Sequence, residues 1–526
     1  MFKLDRLSRT WLASLAFGWL IATASSAQPV EVAGRIHEIL DKSGSANFDT
    51  RDLDLPALRQ FYASRAYQPA WTGSDAAEHD GKSALTLLEH ADDEGLEVDT
   101  YHVREIHLRF HVKTAEATAE YDLLLTDGLL QFIRDLRVGR PQLRKLDRDV
   151  GLPVEAFSPV VELDTALRSD RLEKFLASLS PPHPEYIRLK QGLTRYRRIV
   201  AAGDWPTISG TPGELSGATA QGDMLRKRLA FEDGTLVANP QGDMQAAIEN
   251  FQRHHGLDAD GRIGNKTLRA LNEPASARAA EIALNMERWR WVPRDFGSRY
   301  IAVNAADATL VVVDDGKIVL SSKVIVGKPA TRTAIFAATI TDITVNPYWN
   351  IPAPIARNEI LPKARRNPAY LSNNHIVIDS SGMLRQLPGP DNSLGQLKME
   401  MPNRFNAYLH DTPARALFAA KERHLSHGCI RVEKIQPLAS FALTGDAERG
   451  IEDLQSAISS NVNKRISLDS PLPVFVLYWT AFANEDGTVE FRPDVYGRDQ
   501  RLLAALAGRR LIGRVTMNSD TECRKA

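Results

Sequence analysis

The chain has 526 residues, which at about 150 residues per domain leaves room for about three domains and argues against a single compact one. Lysine and arginine together number 65 against 66 aspartates and glutamates, a formal net charge of −1. This balance argues against binding to nucleic acid or to an anionic membrane through bulk charge.

The N-terminus has the layout of a signal peptide. A basic start precedes an apolar run from Trp11 to Ala24, which is too short to span a bilayer comfortably. Small residues at Ser25 and Ala27 suit cleavage after Ala27. We therefore predict a signal peptide over residues 1–27 and a periplasmic protein. An uncleaved membrane anchor is the alternative, and it too places the bulk of the chain in the periplasm.

Residues 28–205 are predicted to form a helical scaffold domain, because their apolar residues recur at helical spacing. The clearest stretch contains Leu123, Leu124, Leu129, Leu130, Phe132, Ile133 and Leu136. His102, His107 and His111 are spaced like a metal-ligand set. Because no cysteine or paired carboxylate accompanies them, we expect these histidines to be solvated.

A linker rich in Gly, Ser, Thr and Pro follows from Pro206 to Asp223, and a small module completes the range 206–275. The module is predicted to be helical from Met244 to Leu257 and again from Thr267 to Asn272. The residues expected to share one apolar core are Ala247, Ile248, Phe251, Leu257, Leu268 and Leu271.

The turn of this module contains Gly256, which suits a left-handed helix end, and the pair Asp260-Gly261. Asp258 and Asp260 could suggest calcium, but the twelve-residue loop that ends in a bidentate Glu is missing. The pattern FQ-x-x-x-GL-x-x-DG-x-x-G-x-x-T-x-x-x-L resembles the three-helix peptidoglycan-binding domain found beside many wall enzymes.

A connecting helix is predicted over 276–298 and a β-rich domain over 299–515, with a flexible tail at 516–526. Alternating β-branched residues indicate the strands. The predicted strands are Tyr300 to Asn304, Thr309 to Val313, Ile318 to Val326, Ile340 to Val345, Ile376 to Asp379 and Val474 to Trp479. A helical excursion is predicted from about Pro354 to Tyr370.

The chain has two cysteines, Cys429 and Cys523, too few for a disulfide framework. A bridge between them would make Cys429 structural. Against it, Cys523 lies three residues from the end of a polar tail, where order is poor.

Cys429 has the neighbours that a thiol nucleophile needs. His410 can act as its base, with an imidazole expected to titrate near neutrality, and Gly428 permits a tight turn whose amides could face an oxyanion. We expect His427 not to be the base and instead to hydrogen-bond a backbone group or a carboxylate at the rim of the site. Two alternatives stay open. They are a zinc site that adds His424 to these histidines, and a buried unreactive cysteine.

A histidine followed by Ser-His-Gly-Cys-x-Arg resembles the signature of the YkuD-type L,D-transpeptidase catalytic domain. Further segments resemble the long multidomain branch of that family in Gram-negative bacteria. They are Phe61 to Thr72, Pro181 to Tyr186, Asn346 to Pro352, Pro388 to Asn392, Tyr408 to Pro413 and Asp494 to Asp499.

The resemblance implies a multidomain α+β protein whose C-terminal domain is a mixed β-sandwich with a helical capping insertion over 353–405. It makes Cys429 the nucleophile, His410 the proton donor and acceptor, and Tyr408 with the Gly428 and Cys429 amides the oxyanion donors. Supporting residues would be Ser426, His427 and Arg431. Substrate-binding candidates are Asn346, Trp349, Lys363, Arg365 and Arg366.

The activity implied is crosslinking of peptidoglycan. Cys429 would attack the bond between diaminopimelate and D-alanine in a tetrapeptide stem, and a diaminopimelate amine of a second stem would accept the acyl group. No metal or organic cofactor is required, carbapenems should acylate the thiol, and wall-synthesis proteins are candidate partners. The same acyl-enzyme could instead anchor a protein, exchange a D-amino acid or hydrolyse. A wall-binding scaffold without catalysis is the alternative from another class.

Overall fold

The computed structural model describes residues 29–42, 53–140, 144–210, 215, 219–232 and 243–506. The predicted signal peptide, parts of the linker and the tail that contains Cys523 lie outside these residues. Two compact units are present, one formed by Met1–Thr86 with Asp99–Leu129 and the other by Leu87–Val98 with Leu130–Ala526.

The region predicted to be helical is largely helical. Within the described residues its helices are α1 (Pro29–Lys42), α2 (Leu55–Ala63), α3 (Asp75–Glu89), α4 (Val103–Phe110), α5 (Ala115–Val138), α6 (Pro159–Arg168), α7 (Leu172–Ala177) and α8 (Pro184–Ala201), with 3₁₀ turns at Ala91–Glu94 and Val98–Tyr101. None of the helices in the described part of the chain is both long and apolar enough to cross a membrane.

A buried carboxylate organises the first unit. The Asp122 side chain accepts hydrogen bonds from the Tyr62 hydroxyl at 2.7 Å and from the backbone N–H groups of Ala70 and Trp71 at 2.8 and 3.0 Å. Burial raises the pKa of Asp122 to about 6. The segment between α2 and α3 is therefore fixed onto α5 by a group that the hydrophobic pattern did not single out.

The prediction that the three spaced histidines are solvated is wrong for His102. Its Nε2 lies 2.9 Å from the Asp127 carboxylate, and its side chain is largely buried. His107 and His111 are exposed, and His111 packs edge-on against Phe110. His102 differs from the prediction because it precedes α4 in a left-handed conformation, which turns its ring toward Asp127 on α5.

Part of the predicted helical scaffold belongs to the second compact unit, since Leu87–Val98 and the helices after Leu130 fold with the C-terminal half. Helix α8 packs along the connecting helix α12 (Ala275–Trp289), and its buried Tyr186, Leu189 and Leu193 share one apolar core with the strands that follow. The amphipathic pattern of α8 could not reveal this, because it shows which face is buried and not what covers it.

Glu287 lies at the end of α12 and is fully buried. Its carboxylate accepts hydrogen bonds from the backbone N–H of Arg140 at 2.7 Å, the Arg140 side chain at 3.0 Å, the Trp291 indole at 2.9 Å and the Arg290 guanidinium at 3.1 Å. This network ties the end of α5 to the connecting helix within the second unit.

Within the described residues, the helices of the small module are α9 (Ala220–Ala230), α10 (Met244–His254) and α11 (Asn265–Leu271). Their shared core contains Leu225, Leu229, Ala247, Ile248, Phe251, Ile263 and Leu271, with Leu268 against it. Leu257 was predicted in this core but is only half-buried and lies outside it. Gly256 has φ +63°, the left-handed helix end that was predicted.

Gln252 determines the turn of the module. Its side-chain amide donates to Asp260, to the Arg262 carbonyl and to Thr267, and its oxygen accepts the Gly261 N–H at 2.9 Å. The Asp260 carboxylate is thus occupied by Gln252 and by the Arg262 N–H. The Asp-x-Asp-Gly segment is held by protein hydrogen bonds that close the turn.

The C-terminal domain is built on one closed sheet, in place of the two stacked sheets of the predicted sandwich. Its ring runs β5–β13–β2–β3–β4–β12–β10–β9 and closes because β9 also pairs with β5. The ring strands are β2 (Arg299–Asn304), β3 (Thr309–Asp314), β4 (Lys317–Gly327), β5 (Ile335–Val345), β9 (Leu397–Glu400), β10 (Leu409–His410), β12 (Ile430–Val432) and β13 (Lys464–Leu477). Pairing is mixed, since β13–β2 and β10–β12 are parallel and the other ring pairs are antiparallel.

Further elements flank the ring. They are β1 (Val150–Gly151) on β5, β11 (His424–Ser426) on β4, the hairpin β14 (Ala481–Ala483) with β15 (Val489–Phe491), and the helices α16 (Ile435–Thr444) and α17 (Ile451–Ser459). Alternate strand positions such as Leu397, Leu409 and Ile430 are fully buried in the core. Their neighbours therefore face outward.

Between β5 and β9 lies a subdomain with its own small core, here called the inserted subdomain (residues 349–395). Its elements are β6 (Trp349–Asn350), α13 (Ala353–Ile355), a π turn (Ala356–Ile360), α14 (Leu361–Arg366), α15 (Tyr370–Asn373), β7 (Ile376–Ile378) and β8 (Leu384–Gln386). The subdomain begins and ends earlier in the chain than the predicted limits of 353–405. β6 pairs within the subdomain and β9 belongs to the ring.

Candidate active site

The segment Ser426 to Cys429 forms a tight turn between β11 and β12. The Ser426 hydroxyl donates to the Cys429 carbonyl at 2.6 Å and accepts the Gly428 N–H at 3.1 Å. Gly428 has φ +113°, a conformation that side chains disfavour, and its carbonyl accepts the Thr333 hydroxyl at 3.0 Å. Ser426 thus supports the turn that presents Cys429.

The strand register brings the thiol and the predicted base to one face. In the parallel pair β10–β12, Leu409 is opposite Ile430 and His410 is opposite Arg431, so Cys429 lies beside Tyr408. Tyr408 and His410 are two residues apart on one strand and share a face, with ring centroids 5.5 Å apart. Tyr408, His410, Cys429 and Arg431 therefore form a block on the outer face of the ring.

Strand β9 adds a cation to this block. Lys398 is opposite His410 in the β9–β10 pair, and its ammonium lies 4.5 Å from the centre of the Tyr408 ring. It also forms a 2.8 Å ion pair with Glu400 on the same strand. Sequence reasoning missed both residues because β9 lay inside the predicted insertion. The alternation of Leu397 and Met399 with Lys398 and Glu400 was the signal that could have found them.

The Cys429 thiol is half-buried and 4.0 Å from the Asn406 carbonyl. Burial raises its pKa above the ordinary value, while hydrogen bonding from the Tyr408 backbone and hydroxyl, and the charges of Lys398 and Arg431, oppose the rise. The thiol is therefore protonated at neutral pH, with its surroundings arranged to accept a transient thiolate.

His410 is only 4% exposed, and its Nδ1 lies 2.5 Å from the Asp411 carbonyl. Because a carbonyl can only accept, this contact assigns the proton to Nδ1 and leaves the Nε2 lone pair as the basic site. Burial, with the positive charges of Arg431 and Lys398, lowers the pKa of His410 to about 3. The expectation of titration near neutrality was wrong, since burial and the nearby cations Arg431 and Lys398 both disfavour the protonated imidazole.

The predicted pair of oxyanion amides is reduced to one. The Gly428 N–H already donates to Ser426. The Cys429 N–H donates no hydrogen bond to any described residue. The Tyr408 hydroxyl lies beside Cys429, its pKa is raised mainly by burial, and the Trp349 indole hydrogen-bonds to it. The donors at the thiol are thus the Cys429 amide, which has no acceptor among the described residues, and the Tyr408 hydroxyl, which hydrogen-bonds to Cys429.

The predicted substrate-binding residues lie in different settings. Trp349 orients Tyr408, while Lys363, Arg365 and Arg366 are exposed on α14 and form no ion pair with any described residue. Asn346 is wrong as a substrate contact because it is 2% exposed. Its side-chain amide is already committed to the carbonyls that end α17, at 3.0 Å from that of Ile458.

The other histidines of the segment have separate partners. His427 Nε2 lies 2.6 Å from the Glu359 carboxylate in the inserted subdomain, which is the kind of rim contact predicted for it. His424 Nε2 lies 3.0 Å from the Ala305 carbonyl. Among the described residues no cluster of His, Cys, Asp and Glu is arranged to hold a metal ion.

Arg431 retains an unused donor. Its guanidinium is partly buried, and its Nε has no hydrogen-bond partner among the described residues. A buried donor without a partner costs free energy, so a ligand oxygen at this position would be favoured.

Three segments of the chain match known families. Residues 298–451 match the L,D-transpeptidase catalytic domain, residues 227–271 match a peptidoglycan-binding domain, and residues 56–193 match a family described as a scaffold domain. The catalytic match contains the whole Tyr408, His410, Cys429 and Arg431 block.

A curated protein of Haemophilus influenzae, whose name assigns it provisionally as an L,D-transpeptidase, is 34% identical over 287 residues. The match covers 49% of this chain and 57% of that protein.

Two solved structures are also similar. One is L,D-transpeptidase 3 of Mycobacterium tuberculosis with a faropenem-derived adduct (15% identity, TM-score 0.19, 34% of this chain and 60% of that chain). The other is an L,D-transpeptidase mutant of Enterococcus faecium (13%, 0.19, 36% and 52%).

Proposed function

We propose that this chain, which contains an L,D-transpeptidase catalytic domain and a peptidoglycan-binding domain, crosslinks the diaminopimelate residues of two wall stem peptides through a thioester on Cys429. The observation that carries the proposal is the block on the outer face of the ring. There a thiol, a neutral imidazole and a hydroxyl donor lie on adjacent strands.

In the first half-reaction the Cys429 sulfur attacks the carbonyl between diaminopimelate and the terminal D-alanine, and the thiol proton passes to His410 Nε2. The oxyanion accepts hydrogen bonds from the Cys429 N–H and the Tyr408 hydroxyl. The C–N bond then breaks, D-alanine leaves with the proton from His410, and a thioester remains.

In the second half-reaction the amine of a diaminopimelate on another stem attacks the thioester. His410 takes a proton from this amine and returns one to the departing sulfur. Since His410 and Cys429 are both neutral at rest, the imidazole acts as a general base during attack rather than as one half of a standing ion pair.

Charges around the block suit an anionic stem peptide. Arg431 has an unused Nε–H beside the thiol, and Lys398 extends the positive row. The exposed Lys363, Arg365 and Arg366 of α14 offer further positive charges for stem carboxylates. We further propose that the inserted subdomain caps the substrate groove.

A carbapenem adduct tests the nucleophile. Cys429→Ala should eliminate the mass increase of the intact protein after incubation with a carbapenem, while Cys523→Ala should keep it. The second variant is the matched control, because it removes the other cysteine of the chain. An adduct that survives in Cys429→Ala would refute the assignment.

The acceptor is tested by product analysis. Muropeptides from cells expressing the chain should contain dimers joined between two diaminopimelate residues. Stems shortened by one D-alanine, stems with an exchanged D-amino acid, or a protein linked to the wall would each assign the same acyl-enzyme to another acceptor. A wall-binding scaffold without catalysis would produce none of these and no adduct.

We also propose export to the periplasm after cleavage following Ala27. The protein recovered from the periplasmic fraction should begin at Gln28 by N-terminal sequencing. A protein that begins at Met1 and stays with the membrane fraction would indicate the uncleaved anchor.

A further inference from the structure

The first compact unit contains a cavity of about 300 Å³, a volume at the lower end of small-molecule sites. It opens between α3, the end of α4 and the start of α5. Its apolar wall is formed mainly by Trp71, Phe110 and Tyr121. Nothing in the acyl-transfer chemistry of Cys429 uses this cavity.

Tyr121 has a hydroxyl that no protein group satisfies. Its side chain is 5% exposed and its ring packs against Phe110 with centroids 5.8 Å apart. The hydroxyl lies 3.4 Å from the position that a Cβ on Gly81 would occupy, so it lies beneath α3. Among the described residues it has no hydrogen-bond partner. Because Tyr121 lines the cavity, this hydroxyl can bond to a ligand that fills it.

The cavity has free charges of both signs at its rim. Asp75, Glu78 and Lys82 lie at spacings of three and four residues on α3 and so share one helix face, and Lys113 follows α4. None of these four side chains forms an ion pair with any described residue. By contrast Arg109, which also lines the cavity, is bound to Glu120 at 2.6 Å.

We propose that this cavity binds an amino acid or short peptide that carries both a free ammonium and a free carboxylate. The carboxylate would meet Lys82 and Lys113, the ammonium would meet Asp75 and Glu78, and the apolar part would pack on Trp71 and Phe110. The Tyr121 hydroxyl would bond a polar atom of the ligand backbone. Both a wall stem peptide and a free amino acid have this chemistry.

The site is located by hydrogen–deuterium exchange on the full-length Cys429→Ala protein, which cannot form an acyl-enzyme. The two probes are the free stem tetrapeptide and free diaminopimelate. Protection of segments 71–82 and 109–121 by the tetrapeptide alone identifies a stem peptide, and protection by diaminopimelate identifies a free amino acid. If neither probe protects these segments, the proposal is wrong.

Two variants test the contacts by calorimetric titration of the probe that protects. Tyr121→Phe removes only the hydroxyl and should weaken binding roughly threefold to tenfold, as expected for one hydrogen bond. Lys82→Gln should weaken it by at least as much, because the contact is charge-assisted. Lys317→Gln, an exposed lysine on β4, is the control and should change nothing.

Unchanged affinity in both cavity variants would overturn the proposal. Its failure is separable from failure of the acyl-transfer proposal. Tyr121→Phe in a chain with intact Cys429 should be acylated by a carbapenem at the wild-type rate.

Discussion

His427 and Glu359 join the turn that presents the thiol to the inserted subdomain, with Nε2 and Oε1 2.6 Å apart. The two residues are 68 positions apart in the chain. His427 lies two residues before Cys429, and Glu359 lies in the π turn that precedes α14. Both side chains are partly exposed, so the contact should contribute little free energy and should break and re-form easily.

Removing this contact should loosen the inserted subdomain without unfolding the domain. We expect Glu359→Ala to increase hydrogen–deuterium exchange of residues 353–366 about twofold to fivefold, which corresponds to the ~0.5–1 kcal/mol of an exposed ion pair. Glu422→Ala removes the exposed pair with Lys266 and is the matched control. If exchange in 353–366 does not change, the contact does not hold the subdomain.

The neutral state of His410 predicts an unusual pH profile for acylation. Its pKa is lowered to about 3 and that of Cys429 is raised, so the base stays unprotonated and the thiol stays protonated across the neutral range. Single-turnover acylation by a carbapenem should therefore show no inflection between pH 5 and 8. It should fall only in strong acid and rise as the thiol ionises in alkali.

A limb with an apparent pKa near 6.5 would show that His410 titrates normally and would contradict the neutral resting imidazole. His410→Gln should slow acylation at pH 7 by about two to four orders of magnitude, the usual value of a general base. Part of the loss should be recovered at high pH, where the thiolate forms without a base.

The sequence was sufficient to predict structure formed by residues that lie close together in the chain. It was not sufficient to predict which residues the short strands bring together. Alternation predicted β2, β3 and β4 almost to the residue, and apolar spacing predicted the helices α10 and α11 of the module. By contrast β9, β10 and β12 are two to four residues long, too short to show a period. The sequence therefore could not predict that Lys398, His410 and Arg431 lie side by side, and so it could not predict the low pKa of His410. Asn346 was misassigned because the same polar residue can bind a substrate or end a helix.

Replacing Gly428 should slow acylation strongly, although an added side chain would meet no close neighbour. Its φ of +113° is strained for any side chain, while the nearest atoms to an added Cβ are 3.6 Å away. Gly428→Ala should therefore cost about 1–3 kcal/mol of backbone strain, and relaxation of the turn would displace Cys429. We expect carbapenem acylation to fall about a hundredfold.

Gly316→Ala provides the control for this strain. It has φ +74° in the exposed turn between β3 and β4 with open space around it, so it should lose similar stability and keep full acylation. Equal acylation in the two variants would show that the conformation of Gly428 does not position the thiol.

Glu287→Gln should destabilise the second unit strongly, because it leaves the buried guanidinium groups of Arg140 and Arg290 without a compensating charge. We expect a loss of about 3–5 kcal/mol, measured as a lower midpoint of chemical denaturation, whereas Glu185→Gln at an exposed pair should change stability by less than about 0.5 kcal/mol. The stabilisation by Glu287 should also depend on pH. The positive charges of Arg140 and Arg290 hold the pKa of Glu287 below its ordinary value of 4.5, against the effect of burial. The unfolded chain then binds a proton at a pH where the folded chain does not, so this stabilisation is complete above pH 4.5 and is lost as the pH falls below it. Wild type and Glu287→Gln should therefore differ most at neutral pH and converge in acid, and a gap that widened in acid would contradict the buried ionised carboxylate.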